Sequence, residues 1–564
     1  MLPKRILRSA HATHPFRGAA LLLGLVALAA GCGGGGSDGP PPVLDAAACA
    51  AISDLAGVAL PGAEISSAAW NEATAGPGGS PGLPAHCRLR GVLDRRTGVD
   101  GVSYAIGFEL RLPAEWKERL YFQGGFGTDG AVTAAIGYAG DGSALGRGHA
   151  VVSTDAGHSG GGPEFGLDPR ARIDFGYAAL DRVARFAKDV LARVYGRGPA
   201  RSYFVGCSNG GRQAFVAAQR FPDLFDGIVA GAPGFNLPRA AIGEAWNTQA
   251  VAAIATTQDP NGKPYLPGTF SDADLALLAG GILDACDGLD GLVDGIVDDL
   301  PGCGFSPSVL QCAGEKEPSC LSPAQVGALE KIFGGARSGA GMELYTGFPW
   351  DAGVGDPNPI GSLRGWTLGN PALPVNSALN VTLGAGALAY IFVTPPVDTP
   401  DLLGFVLDFD FDRDAPKVFA TSGEFSESSV DFMTATSTDL SPFARRGGKL
   451  LVYHGAADGV FSVNDTIRWY EGVLEDTPEA QTIARLFVVP GMGHCGGGPA
   501  TDSFDAFGAL EAWVERGEAP DRIVATASAT APFAGRTRPL CPWPQQSRYR
   551  GEGSTEDATS FDCR

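Results

Sequence analysis

The chain has 564 residues, of which 44% are hydrophobic and 18% are charged, so it can bury a large core or several domains. Acidic residues outnumber basic ones, and the formal net charge is −20. This charge repels the phosphate backbone of a nucleic acid, so we expect no nucleic-acid partner, whereas a small neutral substrate is compatible with it.

The N-terminus predicts an export signal over residues 1–31. Basic residues precede the apolar run "GAALLLGLVALAAGC", which is shorter than the roughly 20 residues that span a bilayer. "LAAGC" resembles a bacterial lipobox ending at Cys32, with Ala29 where leucine is usual, and residues 32–48 then predict a flexible tether. We expect an exported protein, either periplasmic, attached to the outer membrane through a lipid on Cys32, or extracellular.

Eleven cysteines in an exported chain indicate disulfides, because an oxidising compartment lets them persist. If Cys32 carries a lipid, ten cysteines remain. The sequence alone does not determine how they pair. Four local pairs, Cys49–Cys87, Cys286–Cys303, Cys312–Cys320 and Cys541–Cys563, would leave Cys207 and Cys495 for each other.

Short apolar runs followed by glycine turns and helical patterns predict a mostly parallel α/β sheet. These runs are "YAIGFELRLP", "RLYFQGGFG", "HAVVSTDAG", "RSYFVGCSNG", "FDGIVAGAP", "KLLVYHG" and "ARLFVVPG". The alternation stops near Pro238 and resumes at about Asp439. Residues 49–238 and 439–564 are therefore predicted as two parts of one core, and residues 239–438, rich in Gly, Pro and aromatic residues, as an inserted lid domain.

The stretch "GCSNG" matches the pattern G-x-S-x-G, with a strand-like run before it and a helix-like run after it. Small residues around the serine let a sharp turn close, so Ser208 is the predicted nucleophile. Serine needs an adjacent base, and only two histidines, His454 and His494, follow it in the chain. His454 ends a strand, where it could pack beneath the site, whereas His494 lies in a glycine-rich loop that suits a catalytic histidine.

The order Ser, acid, His requires a carboxylate after a late strand, and "YHGAADGVFS" supplies Asp458 there. Cysteines adjoin both the predicted nucleophile and the predicted base. A Cys207–Cys495 disulfide would hold the two loops together, and redox catalysis by Cys207 is disfavoured in an exported chain. For the oxyanion we predict the backbone N–H groups of Asn209 and Gly127, with Phe126 lining the cleft.

Several motifs resemble the tannase and feruloyl esterase family of α/β-hydrolases, which includes a mono(2-hydroxyethyl) terephthalate hydrolase. The resemblance implies an α/β-hydrolase core with a large lid, the Cys207–Cys495 bridge and a triad of Ser208, Asp458 and His494. The motifs are "FGLDP", "GCSNGGRQ", "AGAPG", "ATSTDL", "GGKLLVYHG", "VVPGMGHCGGGP", "WVERGEAPD" and "TRPLCPWPQ".

The family also has a calcium site in its lid, and "CDGLDGLVDGIVDD" is the matching stretch. Its clustered carboxylates suit a hard cation, although the spacing is not that of an EF-hand and an acidic solvated loop is the alternative. We expect a structural Ca²⁺ ion and no organic cofactor. The expected ligands are the side chains of Asp287, Asp290 and Asp294 and, by resemblance, the carbonyls of Leu292 and Ile296.

By resemblance, the lid grips an aromatic acid, with Trp366 on one wall of the cleft and Phe126 on the opposite wall. The terephthalate-ester hydrolase has a lid arginine after this tryptophan, but no arginine lies between Trp366 and Pro395 here, and Asn380 takes the equivalent place. Phenolic esters of the feruloyl or galloyl type are therefore the expected substrates. The alternatives are terephthalate monoesters, acyl transfer or peptide hydrolysis by the same triad, and a non-catalytic, calcium-stabilised surface binding protein.

Overall fold

The computed structural model describes residues 42–52, 61–76, 82–139, 142–358 and 360–564. The predicted signal peptide, Cys32 and most of the predicted tether lie outside the described residues. The described chain from residue 42 onward belongs to one compact unit.

A nine-stranded sheet forms the centre of the structure. The strands are β1 Ala63–Asn71, β2 His86–Thr97, β3 Ser103–Pro113, β4 Arg119–Gln123, β5 Ala150–Thr154, β6 Arg201–Cys207, β7 Gly227–Gly231, β8 Lys449–Gly455 and β9 Ala484–Val489. Their spatial order is β1-β2-β3-β5-β4-β6-β7-β8-β9. The six strands from β5 to β9 in this order are parallel to one another, and β1, β2 and β3 extend one edge in antiparallel fashion.

Alternate residues of the central strands enter two separate cores, as the period of two in a strand requires. In β6, Tyr203 belongs to one apolar cluster and Phe204 to the other. Helix Ala506–Arg516 packs on the Tyr203 face, and helices Ala179–Val194 and Asn209–Arg220 pack on the Phe204 face. Both faces are therefore covered, which confirms the predicted α/β architecture.

The remaining elements are helices and short strand pairs. The other α-helices are Ala46–Ala51, Pro169–Ile173, Leu237–Ala252, Asp272–Cys286, Pro323–Phe333, Leu402–Leu407, Ser429–Met433, Ser441–Ala444 and Val463–Asp476. Short 3-10 segments are Glu164–Leu167, Leu266–Gly268, Asp287–Asp290, Pro307–Leu310, Ala352–Gly355, Ala415–Phe419, Ala480–Thr482 and Ala558–Ser560, and π-helical segments are Asp174–Ala178, Arg364–Leu368, Asn380–Ala385 and Ala387–Phe392. The strand pairs are Tyr138–Ala139 with Gly142–Ser143, Ile523–Thr526 with Thr537–Leu540, and Ser547–Tyr549 with Phe561–Cys563.

The segment between β7 and β8 is a helical insertion, and its described residues contribute no strand to the nine-stranded sheet. Its first helix begins at Leu237, two residues before the predicted boundary. Its apolar core also contains Ala456, Val460 and Phe461, which follow β8. The insertion therefore packs directly on the loop at the end of β8.

The predicted tether extends too far toward the core. Leu44 is only 4% exposed and its N–H donates to Ala114 O at 3.0 Å. Asp45 caps the helix Ala46–Ala51, whose Cys49 is bonded to Cys87. Residues from Leu44 onward are thus fixed by burial, a helix cap and a disulfide.

Five disulfides connect the ten cysteines after Cys32. All four local pairs form, and Cys207 is bonded to Cys495 across 288 residues of sequence. The predicted pairing is confirmed. None of the described helices is both long and apolar enough to cross a bilayer.

Candidate active site

Ser208 occupies a sharp turn between β6 and the helix that begins at Asn209. Its φ is 64°, an uncommon backbone conformation for a residue with a side chain. A Cβ atom on Gly206 would lie 2.6 Å from the backbone of Gly210, and one on Gly210 would lie 2.6 Å from Gly125 O. Both flanking positions must therefore be glycine for this strand-turn-helix arrangement to close.

Ser208, His494 and Asp458 form a continuous hydrogen-bonded chain. His494 Nε2 lies 2.8 Å from Ser208 Oγ, and His494 Nδ1 lies 2.7 Å from Asp458 Oδ2. This arrangement suits a neutral imidazole that donates from Nδ1 to the carboxylate and accepts the serine proton at Nε2. The three side chains predicted from the sequence are thus within bonding reach of one another.

Asp458 is buried, and its carboxylate is fully partnered. Oδ1 accepts hydrogen bonds from the N–H groups of Val460 (2.9 Å) and Phe461 (3.0 Å). Burial opposes ionisation, but His494 and His454 hold the pKa of Asp458 well below its usual range. The ionised form is therefore favoured, and its Oδ2 accepts from His494 Nδ1.

His454 is a second imidazole on the same carboxylate. Its Nε2 lies 3.2 Å from Asp458 Oδ2 and 3.1 Å from Phe461 O, and its Nδ1 lies 2.8 Å from Thr466 Oγ1. The sequence predicted packing beneath the site but not this contact. The sequence signal for this contact is that His454, at the end of a strand, lies four residues before Asp458.

Two aromatic rings pack edge-to-face on the ring of His494. Trp366 lies 5.4 Å away and Phe461 5.3 Å away, measured between ring centroids. Trp366 is 5% exposed and donates Nε1–H to Ile360 O at 2.6 Å. Phe461 was not selected from the sequence, although it lies three residues after Asp458.

A cleft of about 1140 Å³ opens beside Ser208. Phe126, 59% exposed, lines it as predicted, but Trp366 is not among its lining residues. The placement of Trp366 and Phe126 on opposite walls of the substrate cleft stays a prediction, and the tryptophan is buried against His494. Other lining residues are Gln123, Tyr138, Arg147, Tyr453, Cys495 and Phe504.

The predicted oxyanion donors lie on the two segments that face each other at the turn. Asn209 is the first residue of its helix, where the N–H has no intrahelical acceptor. On the opposing loop, Gly125 N–H is already donated to Gln213 Oε1 at 3.0 Å. The amides of Phe126 and Gly127 remain in that loop, and Gly127 has a φ of 53°.

Backbone groups of the insertion hold the loops that carry the acid and the histidine. Gly361 O accepts from His494 N–H at 2.9 Å and from Gly459 N–H at 3.4 Å. The buried Asp351 accepts from Gly491 N–H at 3.0 Å. None of these contacts has a recognisable sequence signal.

Two buried polar side chains of the insertion lie at the segment Asn380–Ala385. Asn380 donates from Nδ2 to Thr367 Oγ1 at 3.3 Å, while its Oδ1 has no hydrogen-bond partner among the described residues. Glu244 packs against Gly384, one helical turn from Asn380, and its Oε2 also lacks a described partner. Burial raises the pKa of Glu244 to about 8.

The acidic segment of the insertion is held by many contacts within the chain. Asp287 accepts from the N–H groups of Asp294 and Gly295, and Asp294 also pairs with Arg538. Desolvation and the charges of Asp290 and Asp294 raise the pKa of Asp298, a residue that the sequence analysis did not select. The donor chemistry suits a hard cation, but within the described ranges no three acidic, histidine or cysteine side chains form a metal cluster.

Comparison with known proteins finds a family and several relatives that match most of the chain. The family model for tannase and feruloyl esterase matches residues 87–564. A mono(2-hydroxyethyl) terephthalate hydrolase of Piscinibacter sakaiensis is 45% identical over 557 residues, covering 93% of this chain and 92% of that protein. An uncharacterized esterase of Xanthomonas campestris is 37% identical, covering 92% of each.

Two solved fungal structures share the fold. Feruloyl esterase B from Aspergillus oryzae has a TM-score of 0.73 at 24% identity, covering 92% of this chain and 100% of that one. A tannin acyl hydrolase from Aspergillus niger has a TM-score of 0.66 at 20% identity, covering 93% and 96%. The fold is that of an α/β-hydrolase, and its relatives make the chain a carboxylic ester hydrolase. It belongs to the tannase and feruloyl esterase family.

Proposed function

We propose that the chain is an exported serine esterase that hydrolyses esters of aromatic carboxylic acids through Ser208, His494 and Asp458. The observation that carries the proposal is the hydrogen-bonded chain from Ser208 Oγ through His494 to Asp458, at 2.8 and 2.7 Å. The names of the relatives, which include a terephthalate-ester hydrolase and feruloyl esterases, support an aromatic acid.

In the acylation step, Ser208 Oγ bonds to the ester carbonyl carbon while His494 Nε2 takes the hydroxyl proton. The negative charge that develops on the carbonyl oxygen is stabilised by the N–H groups of Asn209 and Gly127. His494 then returns the proton to the leaving alcohol as its C–O bond breaks. A water molecule, deprotonated by His494, releases the acid and restores Ser208.

The preferred acid is one that carries a phenolic hydroxyl rather than a second carboxylate. No arginine lies between Trp366 and Pro395, and by the family resemblance Asn380 takes the place of an arginine that would pair with a carboxylate. Feruloyl or galloyl esters are therefore the first candidates, and a terephthalate monoester is the second, favoured by the 45% identity to the Piscinibacter enzyme.

We propose a structural Ca²⁺ ion bound by the side chains of Asp287, Asp290 and Asp294 and the carbonyls of Leu292 and Ile296. Oxygen donors of this number and charge are the ligands that Ca²⁺ prefers. The segment is anchored by the Cys286–Cys303 disulfide, so an ion there would stabilise the insertion and take no part in the chemistry.

Export is proposed from the N-terminal pattern and from the five disulfides, which persist in an oxidising compartment. Periplasmic, lipid-attached and extracellular forms all meet this requirement. Mass spectrometry of the mature N-terminus distinguishes a diacylglyceryl Cys32 from a simply cleaved chain.

The test compares the purified mature protein with Ser208→Ala. Acid release is measured from methyl ferulate, methyl gallate and mono(2-hydroxyethyl) terephthalate, and Ser208 is labelled with a fluorophosphonate. We expect serine-dependent turnover with a preference for the phenolic esters. If Ser208 is unreactive in the folded protein, the esterase proposal is wrong and the non-catalytic binding protein is the interpretation that remains.

A further inference from the structure

The motif "GCSNGGRQ" contains two long polar residues that the proposed triad does not use. Arg212 and Gln213 lie on the helix that follows Ser208, and both are buried, at 0% and 5% exposure. Burying such groups is unfavourable unless each is hydrogen-bonded. Their partners therefore indicate why they are present.

Gln213 holds both ends of the loop that faces the nucleophile. Its Oε1 accepts from Gly125 N–H at 3.0 Å, and its Nε2 donates to Asp129 Oδ2 at 3.0 Å. Phe126 and Gly127 lie between these two anchor points. One side chain on the nucleophile helix thus fixes the span that carries the second oxyanion donor.

Asp129 connects this loop to the first oxyanion donor. Its other oxygen, Oδ1, accepts a short hydrogen bond from Asn209 Nδ2. Asn209 Oδ1 in turn accepts from Arg212 Nε at 2.8 Å, and Arg212 donates to the carbonyls of Gly176 and Phe175 at 2.7 and 2.9 Å. The carboxylate of Asp129 is therefore shared by the two segments whose amides would bind the oxyanion.

Maintaining Asp129 in this place is unfavourable by itself. The residue is 7% exposed and has a φ of 52°, and burial with the nearby charge of Asp155 raises its pKa to about 7. The donors Gln213 and Asn209 and the charge of Arg212 oppose that shift. An unfavourable buried group that is over-determined by its partners is typical of functional sites.

We infer that Asp129 is a positioning residue that sets the spacing between the Asn209 and Gly127 amides of the oxyanion hole, acting through Asn209 and Gln213. The inference rests on the proposed function, because it presumes that these amides stabilise an oxyanion. Since the spacing matters only when charge develops on the carbonyl oxygen, its loss lowers kcat and leaves KM nearly unchanged.

The test uses an ester and its thionoester, p-nitrophenyl benzoate and O-(p-nitrophenyl) thionobenzoate. Sulfur is larger than oxygen and a weaker hydrogen-bond acceptor, so a well-spaced oxyanion hole discriminates against the thionoester. Asp129→Asn places an amide donor opposite another donor. We expect kcat for the ester to fall about 10- to 100-fold and the ester-to-thionoester ratio of kcat/KM to fall with it.

A polarity swap provides the rescue. In the double variant Asp129→Asn/Asn209→Asp, the amide introduced at position 129 can donate to the carboxylate introduced at position 209 and still accept from Gln213, so every hydrogen bond has a partner. In the single variant Asn209→Asp, the new carboxylate faces that of Asp129. The ester-to-thionoester ratio of kcat/KM should then fall as it does in Asp129→Asn. We expect the double variant to recover most of the lost discrimination.

Asp168→Asn is the matched control, because Asp168 is also buried but accepts from Arg96 and from the N–H groups of Val99 and Ala171, none of which lies in the oxyanion segments. It should lower the melting temperature without changing the ester-to-thionoester ratio.

If Asp129→Asn does not fold, Gln213→Met takes its place and should also lower this ratio. An unchanged ratio in a folded variant, or no rescue by the swap, overturns the inference. Failure of the proposed function is distinct, since the wild-type protein itself would then hydrolyse neither compound.

Discussion

The two halves of the candidate active site are held in different ways. The nucleophile and the loop opposite it are fixed by side chains of the core, through Gln213 and Asp129. Asp458 and His494 lie on loops that also receive hydrogen bonds from the insertion, through the carbonyl of Gly361 and the carboxylate of Asp351. The insertion is thus a structural part of the candidate active site.

A covalent bond and one hydrogen bond join these halves. Cys207 precedes the nucleophile and Cys495 follows the histidine, so the disulfide connects the two loops directly. The Ser208–His494 hydrogen bond spans the same boundary at 2.8 Å. Variants on either side therefore separate the contributions of core, insertion and disulfide.

The largest effect should come from removing the charge that orients the histidine. Asp458→Asn keeps the shape of the side chain but cannot accept from His494 as an anion, so His494 loses its tautomer preference. We expect kcat to fall by about 10³- to 10⁴-fold with the fold intact. Steady-state kinetics and circular dichroism check this, and a loss below tenfold would contradict the role of Asp458.

Removing the bond between the halves should come next. Cys207→Ala/Cys495→Ala should destabilise the protein by about 2–5 kcal/mol and lower kcat, because both catalytic loops gain freedom. Cys312→Ala/Cys320→Ala, which removes a bridge across only 8 residues in the insertion, is the control. We expect it to lower stability but leave kcat unchanged, and equal losses of kcat in both variants would argue against a special role for Cys207–Cys495.

The contribution of the insertion is tested with Asp351→Asn. In the wild type, the Asp351 carboxylate accepts hydrogen bonds from Gly491 N–H at 3.0 Å and from Gly353 N–H at 2.7 Å. In the variant, the NH₂ group of the asparagine faces one of these two N–H donors, which is left without an acceptor. Leaving a buried donor unpaired costs about 1–3 kcal/mol, so the melting temperature and kcat should both fall. If activity at low temperature equals that of the wild type, the insertion does not control the His494 loop.

His454 should have a smaller effect, because it supports Asp458 without touching His494. His454→Phe removes the hydrogen bond to Asp458, and we expect a kcat loss of roughly threefold to tenfold from one weakened orienting contact. His454→Gln, which keeps an amide donor, should lose less. Equal kinetics for the two variants would show that packing rather than the hydrogen bond matters.

Chelation should affect stability more than chemistry. If Ca²⁺ is bound at Asp287, Asp290 and Asp294, adding EDTA should lower the melting temperature by several degrees and excess Ca²⁺ should restore it. The kcat measured well below the melting temperature should stay constant. If neither EDTA nor excess Ca²⁺ changes the melting temperature, the calcium proposal is wrong and the esterase proposal is unaffected.

The residues found from the sequence share a local signal. Ser208 lies in a glycine turn that only a strand-turn-helix unit explains, and Asp458 and His494 follow buried strands at whose ends catalytic loops occur. By contrast, Phe461 and the carbonyl of Gly361 act through tertiary contacts that no local pattern encodes. The packing of Trp366 on His494 was missed for the same reason, since it depends on how the insertion folds.

The predicted boundaries of the insertion were also inexact, because the sequence does not show how its segments pack. Composition located the segment where strands cease, but helix Leu237–Ala252 crosses the predicted boundary, because a helix is continuous regardless of which domain its residues pack against. The tether was also placed too far along the chain, since the helix cap at Asp45 is a weak signal beside a glycine-rich run.

The Cys207–Cys495 bond has a consequence for biosynthesis. When the chain is made in order from its N-terminus, the partner of Cys207 is synthesised 288 residues later. Four other cysteines, at positions 286, 303, 312 and 320, are synthesised before it. Vectorial oxidation would pair Cys207 with one of these first. If the cysteines are oxidised in that order, disulfide exchange is then needed to form Cys207–Cys495, and the recovery of active enzyme should rise with the isomerase activity available.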